Sequence, residues 1–464
     1  MTDLGFLGLA DAGELIRARK LSPVELTSAL LARIARLDPL VHAFVRVTPE
    51  LALAAAREAE REIMAGNWRG PLHGVPFGLK DIIDCKGLPT TAHSKLLIDN
   101  VPNEDAFVAA RLKAAGSVLL GKLATHEFAI GGPSFDLPWP PAVNPWGRNL
   151  FPGGSSSGSG VALAAGLLPV ALGTDTGGSV RNPASLCGIT GMKPTYGLVS
   201  RRGVLPLATS LDHVGPMTRG VRDNALLLDL IAGHDAADAA SVRRAPERFS
   251  ANIDAGVKGL KIGLVRHFYA EDMQADCEQS AAIEAAAEVL RGLGASVREM
   301  RLAPLDDYAT CCRIILRAEA FAVHRRWLAE RPADYGALAR QRLLDGAVVS
   351  AADYIDAQRL RARLIRQTDL AFTGFDAALT VSGMDPACAI DDAEATARSY
   401  PRQARQPFNV TGQPALVVPA GFTGDGRPLS LQLIGQPFTE AKLYRIAFAY
   451  EQATGWLARH PPGV

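Results

Sequence analysis

The pattern of apolar and polar positions predicts helices and strands that alternate along most of the chain. Ser22 can cap a helix in which Pro23 takes the first position and apolar residues recur at helical spacing to about residue 37. A second helix begins at Thr48 and ends near Gly66. Further helices are predicted at 105–115, 221–232, 276–292, 313–329, 351–371 and 439–455. Strands are predicted at 77–83, 117–122, 259–265, 376–381, 415–420 and 429–434.

This alternation predicts an α/β fold with a central mixed β-sheet covered by helices on both faces. The length alone would suggest about three domains. However, no Pro-, Ser- or charge-rich linker divides the chain. We therefore expect one large domain over residues 1–464.

The stretch from Phe151 to Arg181 stands out within this pattern. A Gly/Ser loop at 153–160 leads into an apolar, helix-like segment, and a strand then ends in a second Gly-rich turn that contains Ser179. Two serine-bearing loops joined by a buried crossover are expected to form two walls of one site.

The composition excludes several classes of protein. The chain is 48% hydrophobic and 21% charged with a net charge of +1, so it carries no basic footprint for nucleic acid. Its N-terminus lacks the basic n-region of a signal peptide, and its longest apolar run, 161–173, is shorter than the roughly 20 residues that span a bilayer. Six scattered cysteines indicate reduced thiols, and nine histidines show no metal-ligand spacing. We expect a cytoplasmic protein without metal, cofactor, membrane or nucleic-acid partner.

Lys80 lies in the apolar segment GVPFGLKD, where a charged side chain is unexpected. Burying a lysine costs several kcal/mol unless the charge is paired or the proton is lost. Two interpretations stay open: a structural ion pair with Asp81 or Asp84, or a neutral amine that serves as a base.

The two Gly-rich loops also allow more than one interpretation. The run GGSSSGSG could be a flexible linker, or a G-x-S-x-G nucleophile elbow centred on Ser156, although no clear strand enters it. The second loop, GTDTGGS, could be a tight turn with a capping serine. Its consecutive glycines could also let backbone N–H groups converge beside Ser179, as an oxyanion hole requires.

Taken together, GVPFGLKD, PGGSSSGSG and GTDTGGSVR resemble the motifs of the amidase signature family, in the family's order. Ser155 lies 75 residues after Lys80 and 24 residues before Ser179, which matches the family's serine–serine–lysine triad. Flanking segments such as GKLATHEFAIGG, CGITGMKPTYGLVS and PFNVTGQPALVVPAG agree as well. The resemblance is dense over about residues 70–220, the signature core, and recurs over 405–455.

The resemblance implies a role for each residue of these motifs. Ser179 would be the nucleophile, Ser155 a bridging serine after a cis Gly154–Ser155 bond, and Lys80 the base. The remaining residues would support the reaction: an oxyanion hole from the N–H groups of Thr176, Gly177, Gly178 and Ser179, a bracing pair of Asp175 and Arg181, and a hydrogen bond within the relay from Ser156.

The resemblance implies an amidase that cleaves a carbon–nitrogen bond of a small amide through an acyl-enzyme, with anilides and carbamates (urethanes) as further candidate substrates. The alternative is the A subunit of a glutamyl/aspartyl-tRNA amidotransferase, which passes ammonia to aminoacyl-tRNA within a complex. That subunit usually carries an Asp-Ser-Thr-Ser run that GHDAADAASV lacks, and GKTNMDEF where this chain has GKLATHEF. The sequence therefore favours the free-standing enzyme, and homodimers are common in the family.

The substrate pocket is less well marked. The aromatic- and Pro-rich loop 131–146 is expected to line it, together with 311–320 and the segment near Gly383. Asn182, three residues after the nucleophile, is polar but uncharged, and it predicts a substrate without a carboxylate.

Overall fold

The computed structural model describes residues 3–464, in which 11 strands form one mixed sheet. The order across the sheet is β1-β3-β2-β4-β6-β5-β10-β11-β9-β7-β8. Strand β2 pairs in parallel with β3 and β4, and β7 with β8 and β9, whereas the other neighbours are antiparallel. The strands are β1 Phe44–Val47, β2 Pro76–Lys80, β3 Val118–Leu123, β4 Val170–Asp175, β5 Thr190–Lys193, β6 His213–Thr218, β7 Lys261–Leu264, β8 Ser296–Glu299, β9 Ala377–Thr380, β10 Ala415–Phe422 and β11 Pro428–Ile434.

Fifteen α-helices within residues 3–464 cover both faces of this sheet, which confirms the predicted α/β architecture. None of them is both long and apolar enough to cross a bilayer. The helices are α1 Leu9–Arg17, α2 Pro23–Val41, α3 Pro49–Met64, α4 Phe107–Ala114, α5 Ser157–Ala164, α6 Arg181–Cys187, α7 Val221–Ile231, α8 His267–Ala270, α9 Cys277–Gly292, α10 Leu305–Glu330, α11 Ala337–Leu344, α12 Ala351–Ala371, α13 Ala393–Ser399, α14 Gln406–Thr411 and α15 Glu440–Thr454.

Most predicted elements are present, with shifted ends. The Ser22 side chain accepts hydrogen bonds from two N–H groups of α2, as expected of a cap, and the helix continues to Val41. The strand predicted at 77–83 stops at Lys80, where the chain turns. Strands β1, β5, β6 and β8 were not predicted. Every residue of β5 and β6 is buried, so neither shows the polar–apolar alternation of a half-exposed strand, and β1 and β8 are only four residues long.

The sheet brings the ends of β2 and β4 together. These strands are parallel neighbours, with Leu79 opposite Leu172. Lys80 at the end of β2 and Asp175 at the end of β4 therefore lie at the same edge of the sheet. The Gly153–Ser156 loop, which leads into α5, lies at this edge too, because Ser156 bonds to Thr174 of β4.

Candidate active site

Lys80 is fully buried and holds the first loop by hydrogen bonds. Its Nζ donates to Ser155 Oγ at 2.7 Å and to Thr174 Oγ1 at 2.8 Å. The neighbouring carboxylate of Asp81 pairs instead with Lys122, at 2.9 Å, and both of these side chains are buried. The structural ion pair that the sequence left open is therefore formed by Lys122, and Lys80 is left with hydroxyl partners.

The surroundings of Lys80 favour its neutral form. Within residues 3–464, neither Asp81 nor Asp84 forms an ion pair with it. Burial lowers the pKa of Lys80 to about 7, although the negative charges of Asp175 and Asp212 oppose that shift. A substantial fraction of the amine is consequently unprotonated at neutral pH and can accept a proton.

The loop that carries Ser155 is fixed by its neighbours. The Gly154–Ser155 peptide bond is cis. The Ser155 carbonyl accepts a hydrogen bond from the His126 N–H at 3.1 Å, and a Cβ added at Gly154 would come within 2.0 Å of the His126 ring. Glycine is therefore required at position 154. The Gly154 N–H donates to Asn182 Oδ1 at 3.0 Å, so the loop is also tied to the helix after the nucleophile.

Ser156 joins the two serine loops through the backbone. Its N–H donates to the Ser179 carbonyl at 3.2 Å, and its hydroxyl bonds to the carbonyl and the N–H of Thr174, both at 3.2 Å. The resemblance placed this hydroxyl within the relay. In the structure its partners are backbone groups, so its contribution is to set the spacing between the loops.

Ser179 lies at the tip of the second loop and is only 6% exposed. The Gly178 N–H donates to Asp175 Oδ1 at 2.9 Å. One of the four amides assigned to an oxyanion hole is therefore already engaged in a hydrogen bond. Within residues 3–464 the amides of Thr176, Gly177 and Ser179 make no hydrogen bond. These three N–H groups are free to stabilise a developing negative charge.

Asp175 and Arg181 form the buried pair that the resemblance implied. Arg181 donates to both carboxylate oxygens, at 3.0 and 2.9 Å, and Asn409 donates to one of them at 2.8 Å. Burial alone would raise the pKa of Asp175, but the charge and hydrogen bonds of Arg181 hold it well below its usual value. The pair fixes the turn between β4 and the nucleophile.

Asp212 is a half-buried acid near the relay that the sequence did not single out. It accepts a hydrogen bond from Thr176 Oγ1 at 2.6 Å and further bonds from the Leu207 and Ala208 N–H groups. Burial raises its pKa to about 6, and these hydrogen bonds oppose the shift. Nothing in the sequence around Asp212 tied it to Thr176.

The stretch 311–320, which was expected to line the pocket, lies beside the nucleophile loop. A Cβ built on Gly177 would lie 4.0 Å from Cys312 Sγ and 4.0 Å from Leu316, both within the expected stretch 311–320. Gly383 borders a cavity that also contains Asn182 and Arg405. Within residues 3–464 no group of three or more His, Cys, Asp or Glu side chains could hold a metal ion.

Known families, sequences and solved structures resemble this chain over nearly its whole length. The Amidase family model matches residues 25–444. The A subunit of glutamyl-tRNA(Gln) amidotransferase from Chloroflexus aggregans is 40% identical, with 99% of each chain covered. A solved s-triazine catabolic enzyme, from what is described as a vestigial protein complex, is 32% identical over 97% of this chain and 99% of its own, with a TM-score of 0.91. Native peptide amidase of Stenotrophomonas maltophilia is 34% identical over 98% of each chain, with a TM-score of 0.87.

One expectation is overturned by these comparisons. The sequence predicted a small-molecule amide as the partner and excluded nucleic acid. The relative from Chloroflexus aggregans belongs, by its name, to an enzyme that acts on a transfer RNA. The low net charge did not justify excluding nucleic acid. A subunit of a complex that acts on RNA need not contact the RNA phosphates itself.

Proposed function

The chain belongs to the amidase family, whose members act on carbon–nitrogen bonds, and we propose a role in that reaction for each residue of its site. Ser179 is the nucleophile, Ser155 is the bridging serine and Lys80 is the base. The observation that carries the proposal is the 2.7 Å contact between Lys80 Nζ and Ser155 Oγ, made by a fully buried lysine without a carboxylate partner.

The steps follow from this arrangement. Neutral Lys80 takes the proton of Ser155, which takes the proton of Ser179 as the Ser179 oxygen attacks the amide carbonyl. The negative oxygen of the tetrahedral intermediate is held by the free N–H groups of Thr176, Gly177 and Ser179, and losing one such donor typically costs roughly 3–4 kcal/mol.

Bond cleavage reverses the proton path. The leaving nitrogen receives the proton through Ser155, the carbon–nitrogen bond breaks, and the acyl group stays on Ser179 as an ester. Water then repeats the sequence, so that one amide and one water yield one carboxylic acid and one amine or ammonia. The Asp175–Arg181 pair keeps Ser179 in place without taking part in proton transfer.

We further propose that this chain works as the amide-hydrolysing subunit of a tRNA-dependent amidotransferase in the cytoplasm. Support comes from the 40% identity to the A subunit of glutamyl-tRNA(Gln) amidotransferase over 99% of both chains. The solved s-triazine enzyme with a TM-score of 0.91 also comes from a protein complex. In this role the chain releases ammonia from an amide donor, and another subunit uses the ammonia.

A second candidate is an amidase of small amides, anilides or carbamates that needs no other subunit. Two observations favour it: the TM-score of 0.87 to native peptide amidase, and the absence of the Asp-Ser-Thr-Ser run after GHD.

The test compares the purified chain with the chain produced together with the other subunits of its source cell's amidotransferase. Ammonia release from primary amides and conversion of glutamyl-tRNA(Gln) are measured, with Ser179→Ala as the blank. Conversion that needs both Ser179 and the other subunits supports the subunit role. Rapid amide hydrolysis by the chain alone, with no conversion in any mixture, establishes the second candidate instead. No Ser179-dependent product from either preparation contradicts the proposed nucleophile.

A further inference from the structure

A tyrosine at the end of a weakly packed helix covers the nucleophile. We propose that residues 392–400, here called the arm, form a lid in which Tyr400 closes the active site over Ser179 and must move away before a substrate binds. This inference rests on the proposed amide hydrolysis and adds a conformational step that precedes it.

Tyr400 lies against both serine loops. Ser179 is only 6% exposed, and the Tyr400 phenol is within hydrogen-bonding reach of its hydroxyl. The ring centroid of Tyr400 is 6.4 Å from that of Phe151, which leads into the cis-serine loop. It is 6.3 Å from that of His126, whose ring packs on Gly154. One side chain therefore shields the nucleophile and the loop of the bridging serine together.

Little space is left beside this tyrosine. The cavity between Tyr400, Phe151 and Asn182, which Arg405 also lines, has a volume of about 20 Å³. That volume holds about one water molecule. A carboxamide with its acyl group is larger, so it cannot enter on this side of the nucleophile loop while Tyr400 stays in place.

The arm that carries Tyr400 is weakly packed. Of the seven residues of α13, only Ala395 and Thr396 are buried, whereas α14 buries four of its six. In the part of the chain that the structure describes, every hydrogen bond of residues 393–399 is made to another residue of 388–402. A segment with few buried apolar contacts and no hydrogen bonds to the rest of the protein opens at a low cost in free energy.

The residues on either side of the arm are anchored. Before it, the Cys388 carbonyl accepts a hydrogen bond from the Phe151 N–H at 2.8 Å. After it, Arg402 donates to the carboxylate of Asp385 at 2.7 and 3.2 Å, which ties the two ends of the loop together. The motion is therefore confined to the residues between these anchors, as in a loop that closes an active site.

The contacts that hold Tyr400 in the closed position are individually weak. Burial raises the pKa of Tyr400, although the charges of Arg342 and Arg405 oppose the shift, so the phenol is a neutral donor at pH 7. The Arg342 guanidinium lies 5.7 Å from the ring centroid, at the distance of a cation–π contact. A bound substrate can replace a single hydrogen bond to Ser179 with its own contacts.

One pair of side chains allows the arm to be locked. Cys388 Sγ, outside the arm, lies 3.5 Å from the hydroxyl of Ser399 within it. In Ser399→Cys, oxidation should join the two sulfurs, because the side-chain ends are already close. Amide hydrolysis by the crosslinked enzyme, with its other subunits where these are needed, should fall at least about tenfold and recover on reduction. Ser399→Cys with Cys388→Ser is the matched control, and it should stay active under oxidation. A crosslink confirmed by mass spectrometry that leaves the rate unchanged would overturn the inference.

Two substitutions of Tyr400 test the lid without a crosslink. A fluorophosphonate that carries a bulky dye should label Ser179 about tenfold faster in Tyr400→Ala than in the wild-type chain, because the cover is gone. Tyr400→Phe keeps the ring, and its labelling rate should stay closer to that of the wild type. An unchanged or lower rate in Tyr400→Ala would contradict the lid. Equal effects of the two substitutions would assign the role to the hydroxyl alone and would also overturn it.

Hydrogen exchange separates this inference from the hydrolysis proposal, because it needs no chemistry at Ser179. The amide hydrogens of α13 in the wild-type chain should exchange at least about tenfold faster than those of α14, and the crosslink in Ser399→Cys should slow them. If Ser179 is labelled in none of the variants, the proposed nucleophile is wrong, and the exchange rates alone decide on the arm. Equal protection of α13 and α14 would then overturn the lid.

Discussion

The burial of Lys80 predicts the pH dependence of the reaction. With a pKa of about 7, the amine is about one-tenth neutral at pH 6 and about nine-tenths neutral at pH 8. Since only the neutral form can take the Ser155 proton, kcat/KM should rise roughly tenfold between pH 6 and pH 8 and level off above that. A lysine with an ordinary pKa would instead give a rate that still rises about tenfold per pH unit at pH 9.

The assay measures kcat/KM for amide hydrolysis from pH 5.5 to 9.5, in the wild-type chain and in Asp212→Asn. Asp212 raises the pKa of Lys80 by its charge. Removing that charge should lower the pKa of Lys80. The rising limb of the pH–rate profile should then move to lower pH, and the plateau should follow at higher pH as in the wild type. A wild-type rate that is flat from pH 6 to pH 8, or that keeps rising above pH 9, would refute the assignment of Lys80 as a desolvated base. A limb that moves to higher pH in Asp212→Asn would refute the electrostatic argument.

Three further predictions concern residues around the relay. Ser155→Ala should lower kcat/KM by about 10²- to 10⁴-fold with an unchanged melting temperature, because proton transfer through Ser155 is lost; activity within tenfold of wild type would remove Ser155 from the relay. Asp175→Asn should cost about 3–5 kcal/mol in urea unfolding, since it leaves the buried Arg181 unpaired, and a loss below 1 kcal/mol would contradict that. Gly178→Ala should cost at least about 1–3 kcal/mol and slow hydrolysis, because φ at this position is +122° and a Cβ would collide with Arg405; an unaltered melting temperature would show that the loop relaxes freely.

Much of the catalytic chemistry could be predicted from the sequence because it is local. A lysine in an apolar strand and serines in Gly-rich loops are each unusual, and their spacing matches a family pattern. The structure places Lys80 and Ser155 in contact and puts the loop of Ser179 at the same edge of the sheet. Four strands were missed: β5 and β6 are buried on both faces and lack alternation, and β1 and β8 are short.

The sequence could not predict which charged groups pair with each other, because the partners come from distant segments of the chain. Nothing near Lys80 in the sequence shows that Asp81 is bound by Lys122 on the neighbouring strand. Arg405 lies 224 residues after Arg181. Only the folded chain shows that Arg181 Nη1 donates a hydrogen bond to the Arg405 carbonyl beside the nucleophile loop. The charge of a pocket depends on such pairings between distant segments.

The expectation about partners failed for a different reason. Net charge reports whether a chain itself can neutralise phosphates, and it does not report the complex in which that chain works. The relative from Chloroflexus aggregans is by its name a subunit of an enzyme that acts on a transfer RNA, and composition gives no sign of such a relationship.

The most direct test of the relay needs no substrate. A fluorophosphonate reacts with an activated serine, and the labelled residue can be identified by mass spectrometry of peptides. The proposed relay predicts one adduct, on Ser179, that is absent from Ser179→Ala and forms more than tenfold more slowly in Lys80→Met. An adduct on another serine, or equal labelling rates for Lys80→Met and the wild-type chain, would contradict it.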